Sequence, residues 1–260
     1  AAAQVWGFDK SSNSVEVAIL NMLLNGDGKS NILEKDTLDS VTELENGDLF
    51  DIVVCNPPFG KKIKERRKSV LRQFALGKVS FFDSSKQAFL PTREVLSSQE
   101  VGLLFMELCI RIAKPGGRIA IILPNGYLGN RSTIYRIARE YLLKHCYLGI
   151  VVSLPRFTFK ASGADVSASV LFLEKREAPL DSIADCDDYP FSVEIIEKLG
   201  WESGTKIAKA VYKRNQKDGS VLVNDEGELE IDSDFPALSD RIASCPAFVS
   251  MKWHPDRRRN

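Results

Sequence analysis

Residues 50–55, Phe-Asp-Ile-Val-Val-Cys, form a short apolar run that meets Asn56-Pro57-Pro58 with no spacer. Each proline fixes its φ and lacks a backbone N–H, so neither helix nor ladder continues through them, and the run must end there as a strand. The same order of strand, polar residue and helix recurs along the chain. Residues 4–8 read as a strand ending at Asp9, followed by a helix over 11–24 with Val15, Ala18, Ile19, Met22 and Leu23 at helical spacing. Asn25-Gly26-Asp27-Gly28 stops that helix, and a second short strand over 30–33 leads to Asp36. Leu103, Leu104, Met106, Leu108 and Ile112 predict a largely buried helix over 101–113, closed by Lys114-Pro115-Gly116-Gly117 and followed by a strand over 118–123. A helix over 134–143 and strands over 147–153 and 167–173 complete the pattern, and the last two have no helix between them, which lets that pair run antiparallel. Such alternation predicts an open α/β sheet with helices on both faces and with ligands beyond the carboxyl ends of the strands. Asp9, Asp36 and Asn56 all fall at such ends.

With 260 residues the chain has room for one large domain, or one domain and an appendage. The expected division is 1–175 and 176–260. The second stretch carries acidic clusters at 181–188 and 225–234 and a small hairpin built from 209–213 and 221–223, and it reads as an appendage rather than a second core. Lys plus Arg equals Asp plus Glu at 35 each, so no overall charge draws the molecule to phosphate and any such attraction must be local. Lys61, Lys62, Lys64, Arg66, Arg67, Lys68 and Arg72 form the densest basic run, directly after the prolines. That placement suits phosphate contacts, and a solvated face is the plainer alternative. Cys55, Cys109, Cys146, Cys186 and Cys245 are widely spaced with no CxxC, which speaks against a zinc ribbon or disulfide framework and for a cytoplasmic protein. His145 and His254 stand far apart, so no metal is expected, and no apolar stretch reaches the roughly 20 residues of a membrane span.

Asn56-Pro57-Pro58-Phe59-Gly60 resembles motif IV, the catalytic loop of amino methyltransferases, in the form found in modification subunits of type I restriction systems. The resemblance implies an adenine N6 methyltransferase acting on DNA. The exocyclic amine of adenine is a poor nucleophile, and the Asn56 side-chain oxygen with the Pro57 carbonyl would accept its two N–H bonds, in a frame that Pro57 and Pro58 make rigid. Phe59 would stack on a base rotated out of the duplex. Gly7-Phe8-Asp9 resembles motif II, whose acid receives the cofactor ribose, although Asp9 reads equally well as a helix cap. Lys35-Asp36-Thr37-Leu38 resembles motif III, whose Asp receives the cofactor adenine amine, with a capping or turn Asp as its alternative. The stretch from Phe105 through Lys114-Pro115-Gly116-Gly117 to Gly126 is similar to the matching helix, turn and strand of these subunits. Leu154-Pro155 with Phe159, Gly163 and the strand at 169–172 resembles motif VIII, which puts an aromatic ring on the other face of the base. Phe159 takes that role, with Phe157 as the alternative and core filling as the bland one.

The likeness covers most of 5–172, with 61–100 poorly matched, and 191–234 loosely resembles the tail of the same subunits. It implies the class I S-adenosylmethionine-dependent methyltransferase sheet, a Rossmann-like arrangement. The family's glycine-rich motif I, on a central first strand, would stand before Val5 and is not seen there. A sheet without that strand would open at its middle, between the strand ending at Asp9 and the one ending at Asn56. The chain is therefore expected to be a fragment, or to fill the slot with another segment. The resemblance further implies S-adenosylmethionine as cofactor, DNA as substrate, and specificity and restriction subunits as partners. Methylation of protein glutamine or ribosomal RNA uses the same loop and is the nearest alternative. A non-catalytic DNA-binding or assembly subunit of the same fold is another. Target sequence and oligomeric state are not legible.

Overall fold

The computed structural model describes residues 4–60, 62–156, 158–160, 166–202 and 209–244. In chain order the elements are β1 (Trp6–Asp9), α1 (Ser12–Leu24), β2 (Asn31–Glu34), α2 (Val41–Asn46), β3 (Phe50–Cys55), β4 (Lys64–Glu65), α3 (Lys68–Leu71), β5 (Lys78–Asp83) and β6 (Ala88–Val95). There follow β7 (Gln99–Glu100), α4 (Val101–Ile112), β8 (Ala113–Pro124), α5 (Asn125–Gly129), α6 (Thr133–His145), β9 (Cys146–Ser153), β10 (Ala168–Lys175), β11 (Ser192–Ile195) and α7 (Phe235–Ser244).

The main sheet has the order β11-β9-β10-β8-β3. β3 runs parallel to β8, β10 is antiparallel to both β8 and β9, and β11 is parallel to β9. The sequence left open an antiparallel closing pair, and β9 with β10 is that pair.

The core follows from the sequence of α4. Its apolar residues encircle the helix, and Leu103, Leu104, Met106, Leu108, Cys109, Ile110 and Ile112 are all buried, which is the mark of a helix inside the molecule rather than on it. Ile119, Ile121 and Leu123 alternate along β8 and point into the same core, as period-2 side chains must. Burying each such side chain fully contributes about 1.5–3 kcal/mol. Tyr135, Ala138 and Leu142 of α6 close this core. Strand alternation also loads the opposite face: Leu171 and Leu173 of β10 enter the first core, whereas Val170 and Phe172 pack on a second. That smaller core holds Ile150, Val152 and Leu154 together with Ile196, Leu199 and Leu238.

The C-terminal stretch contributes to this second core. β11 extends the sheet, and α7 covers its second face because Leu238 and Ile242 lie on one side of that helix. Of the hairpin expected between 209–213 and 221–223, the structure has the antiparallel bridge between Arg214 and Val221 and the Leu222 N–H donating to the Lys213 carbonyl at 2.9 Å, and a further turn bridges Val223 to Leu229. A second hairpin, β5 with β6, was not foreseen.

The sheet does open where the sequence reading placed the gap. Among the described residues β1 pairs with β2 alone, in parallel, and β3 pairs with β8 alone. The Phe8 and Phe50 rings meet edge-on across the seam with centroids 6.4 Å apart. Val54 is 77% exposed and Ile52 50%, whereas β-branched residues of a parallel strand are ordinarily covered on both faces. No helix among the described residues is long and apolar enough to cross a membrane.

Candidate active site

β3 ends at Cys55, and the next four residues form a loop at its carboxyl end. Asn56 and Pro58 are exposed, Pro57 is buried and Phe59 is half-buried. Gly60 then turns the chain at φ +131°, a conformation that a Cβ would make costly. Beyond it the Ile63 N–H donates to the Gly60 carbonyl at 3.0 Å and the Val101 N–H to the Ile63 carbonyl at 3.1 Å. Lys64 and Glu65 pair with Glu100 and Gln99, so the loop is clamped to the start of the most buried helix in the molecule. A loop held at both ends presents its side chains at low entropic cost.

Phe159 faces the loop from the other side. Its ring lies 5.1 Å from that of Phe59, tilted by 60°. Thr158 fixes the approach by donating its hydroxyl to the Pro155 carbonyl at 2.6 Å, and Leu154 anchors it in the second core. Phe157 and Gly163 lie outside the described residues. The structure therefore brings Phe59, three residues after Asn56, against Phe159, which lies 100 positions further along the chain.

Asp9 is exposed at the end of β1 and its Oδ1 accepts from the Ser11 N–H at 2.8 Å. It is not the cap of α1: Ser11 is, with its hydroxyl accepting from the Ser14 N–H. Asp36, past the end of β2, is half-buried. Its Oδ2 accepts from the Arg67 guanidinium at 2.9 Å.

Lys62, Lys64 and Arg66 stand exposed beside the loop, and Lys61 lies outside the described residues. Arg67 differs from the rest of the basic run. It donates to both carboxylate oxygens of Glu65, with the shortest contact at 2.7 Å, as well as to Asp36. Glu65 is nearly buried and also accepts from the Arg66 and Arg67 N–H groups at 2.8 and 2.7 Å. The Arg67 hydrogen bond, foremost, holds the Glu65 carboxyl below the usual glutamate range, and the same bond holds the guanidinium above its ordinary value. A carboxyl with a depressed folded value contributes stability above its unfolded pKa and loses it as pH falls through the folded one. Arg67→Gln is therefore expected to shift the acid unfolding midpoint to higher pH, read by circular dichroism, and an unshifted midpoint counts against this joint.

Two further groups escaped the sequence reading. Asn125, just past β8, accepts from the Ser169 hydroxyl at 2.8 Å and ties the ends of β8 and β10 together. Its place in Leu-Pro-Asn-Gly after a strand was the available signal. Glu100, buried at the head of α4, accepts from the Tyr135 hydroxyl at 2.6 Å. Nothing local in the sequence marks that pair.

The arrangement is an exposed amide and a proline carbonyl at the end of β3 with two aromatic rings beside that loop, while Asp9 and Asp36 stand at or just past the ends of β1 and β2 in the separate two-stranded sheet. A solved structure from Listeria monocytogenes assigned to the class I S-adenosylmethionine-dependent methyltransferases superposes with TM-score 0.52 at 20% identity, covering 73% of this chain and 48% of that one. One from Vibrio vulnificus, assigned as the modification subunit of a type I restriction enzyme, gives 0.51 at 20% identity over 89% of this chain and 48% of that one. These likenesses establish the fold, the class I S-adenosylmethionine-dependent methyltransferase sheet. In sequence the chain is 26% identical over 174 residues to the type I restriction enzyme EcoEI methylase subunit of Escherichia coli, a match that covers 66% of this chain and 30% of that protein. The chain thus spans less than a third of that relative's length. The family model described as N-6 DNA Methylase matches residues 1–191, and the chain belongs to that family.

Proposed function

We propose that this chain is the catalytic part of an enzyme that transfers a methyl group from S-adenosylmethionine to the N6 amine of adenine in duplex DNA, as the modification subunit of a restriction-modification system. The observation that carries the reading is Asn56 exposed on a proline-stiffened loop, with the Phe59 and Phe159 rings beside it.

In this reading the target base leaves the stack and lies against the aromatic rings, at an unstacking cost of a few kcal/mol. The Asn56 side-chain oxygen and the Pro57 carbonyl accept the two N–H bonds of the amine. Its nitrogen lone pair is thereby turned out of the ring's conjugation and toward the cofactor. Pro57 and Pro58 offer no N–H to compete for those acceptors. S-adenosylmethionine, when bound, supplies the methyl group on a sulfonium centre. The residues present suit its nucleoside half: Asp9 offers a carboxylate to a ribose diol and Asp36 one to an exocyclic amine. Lys62, Lys64 and Arg66, with Lys61, would contact phosphates flanking the extruded base. Specificity and restriction subunits would be the partners, and the cytoplasm the compartment.

Arg67 takes a separate part here, holding the Asp36 carboxylate in place rather than touching DNA. Arg67→Gln is expected to weaken S-adenosylmethionine binding about tenfold, in line with the ~1.5–3 kcal/mol of a charge-assisted hydrogen bond. Its DNA affinity should keep the wild-type salt dependence, whereas a phosphate contact would lower the slope of log K against log salt by about 1.

The direct test expresses the full-length protein with its partner subunits in a host free of adenine methylation and maps N6-methyladenine in the host DNA. Modified adenines in one sequence context, lost in Asn56→Ala, are expected. DNA binding without methylation would favour the assembly subunit, and methylated ribosomal RNA or protein glutamine would replace DNA as the substrate.

A further inference from the structure

Half of the buried core on which the Phe159 ring packs comes from a part of the chain that the family match does not reach. The match ends at residue 191, and Ile196, Leu199 and Leu238 lie beyond it. These three are 2%, 5% and 7% exposed, and with Ile150, Val152 and Leu154 they form the core on which Phe159 packs. On its other side Phe159 meets Phe59 at 5.1 Å. The ring is thus pressed between the catalytic loop and a core closed by α7.

The attachment of α7 is specific. The Asp234 carboxylate accepts from the Glu197 and Lys198 N–H groups, both at 2.9 Å, and the Asp234 N–H donates to the Lys198 carbonyl. Arg241 donates to Glu194 of β11 at 2.8 Å. β11 in turn lies in register on β9, and the Ile196 N–H donates to the Ser153 carbonyl at 3.0 Å, one residue before Leu154 begins the turn that carries Phe159. α7 and the ring thus meet in one core, α7 contributing Leu238 and Ile242 and the turn contributing Leu154 and Phe159.

We propose that α7, through Leu238 with Ile196 and Leu199, positions Phe159 and so forms the back wall of the slot for the extruded base. Leu238 is a positioning residue: it touches neither base nor cofactor and acts through the ring. The inference rests on the proposed function, and its failure can be told apart from the failure of that reading.

The test uses the full-length protein with its partners and a duplex carrying 2-aminopurine at the methylated position. Leu238→Ala is expected to raise KM for DNA about tenfold and to lower the 2-aminopurine fluorescence gain on binding, with the affinity for S-adenosylmethionine unchanged. Leu238→Met, which refills the space, is expected to restore most of both. Should Leu238→Ala fail to fold, Asp234→Ala loosens the same helix from its exposed end and is expected to shift KM in the same direction by a smaller factor. A wild-type KM and fluorescence gain in a folded Leu238→Ala or Asp234→Ala protein overturns the proposal. So does an equal loss of cofactor affinity, which marks a general loss of structure. A wild-type protein that leaves adenine unmethylated refutes the parent reading instead.

Discussion

Asn56→Ala is expected to slow methyl transfer about 10²–10³-fold while cofactor affinity and folding stay near wild type. The size follows from what the side chain would supply. An acceptor aimed at a group whose charge changes in the transition state is worth more there than in the ground state, so its removal falls on kcat rather than on KM. The loop itself should survive the change. Asn56 is exposed, Pro57 is buried beneath it, and the Gly60 and Ile63 hydrogen bonds that hold the loop use backbone atoms alone. An exposed substitution of this kind ordinarily alters stability by no more than about 0.5 kcal/mol. Asn56→Asp keeps an acceptor at the same reach and should retain more activity than the alanine variant. Single-turnover rates measured with excess enzyme separate the chemical step from DNA binding. A wild-type rate in Asn56→Ala would remove the loop from the chemistry.

The strand ending at Asn56 was legible because two prolines leave no other way to finish an apolar run, and β3 spans the predicted residues. α4 was legible from its helical period, whereas β8 begins at Ala113, so Lys114-Pro115-Gly116-Gly117, read as the turn closing that helix, lies in the first part of the strand. The opening between β1 and β3 was legible only through the resemblance, which supplied the strand order. The β5–β6 hairpin was not legible: Phe81 and Phe82 are adjacent rather than alternating, Pro91 sits inside β6, and both weaken a strand signal. Arg67 shows the limit most clearly. Its neighbours Lys62, Lys64 and Arg66 made it look like one more surface cation, and Glu65 two positions away was visible, but Asp36 is 31 positions upstream. The second core failed to show for the same reason, since Leu238 and Val152, far apart in sequence, share one core only once β11 has joined the sheet.

Phe59→Ala and Phe159→Ala are each expected to raise KM for DNA, by less than the about 5–150-fold that the full ~1–3 kcal/mol of base–aromatic stacking per ring face would give, with a smaller effect on kcat. The geometry adds a constraint that the sequence could not supply. At a centroid distance of 5.1 Å the two rings are in contact, and a base between them needs about 3.5 Å of separation on each side, roughly 7 Å in all. Entry of the base must therefore part the rings by about 2 Å and flatten their 60° tilt. Parting them forfeits the ~0.5–1.5 kcal/mol of an aromatic pair, which two new stacking faces more than offset. The rings thus shield each other from water until the base replaces that contact. Removing either ring abolishes the contact as well as one stacking face, so each single variant loses less than its stacking energy alone. The double variant should consequently exceed the sum of the singles, since only the first substitution recovers the ring-pair term. A double variant that matches either single would mean that one ring never touches the base.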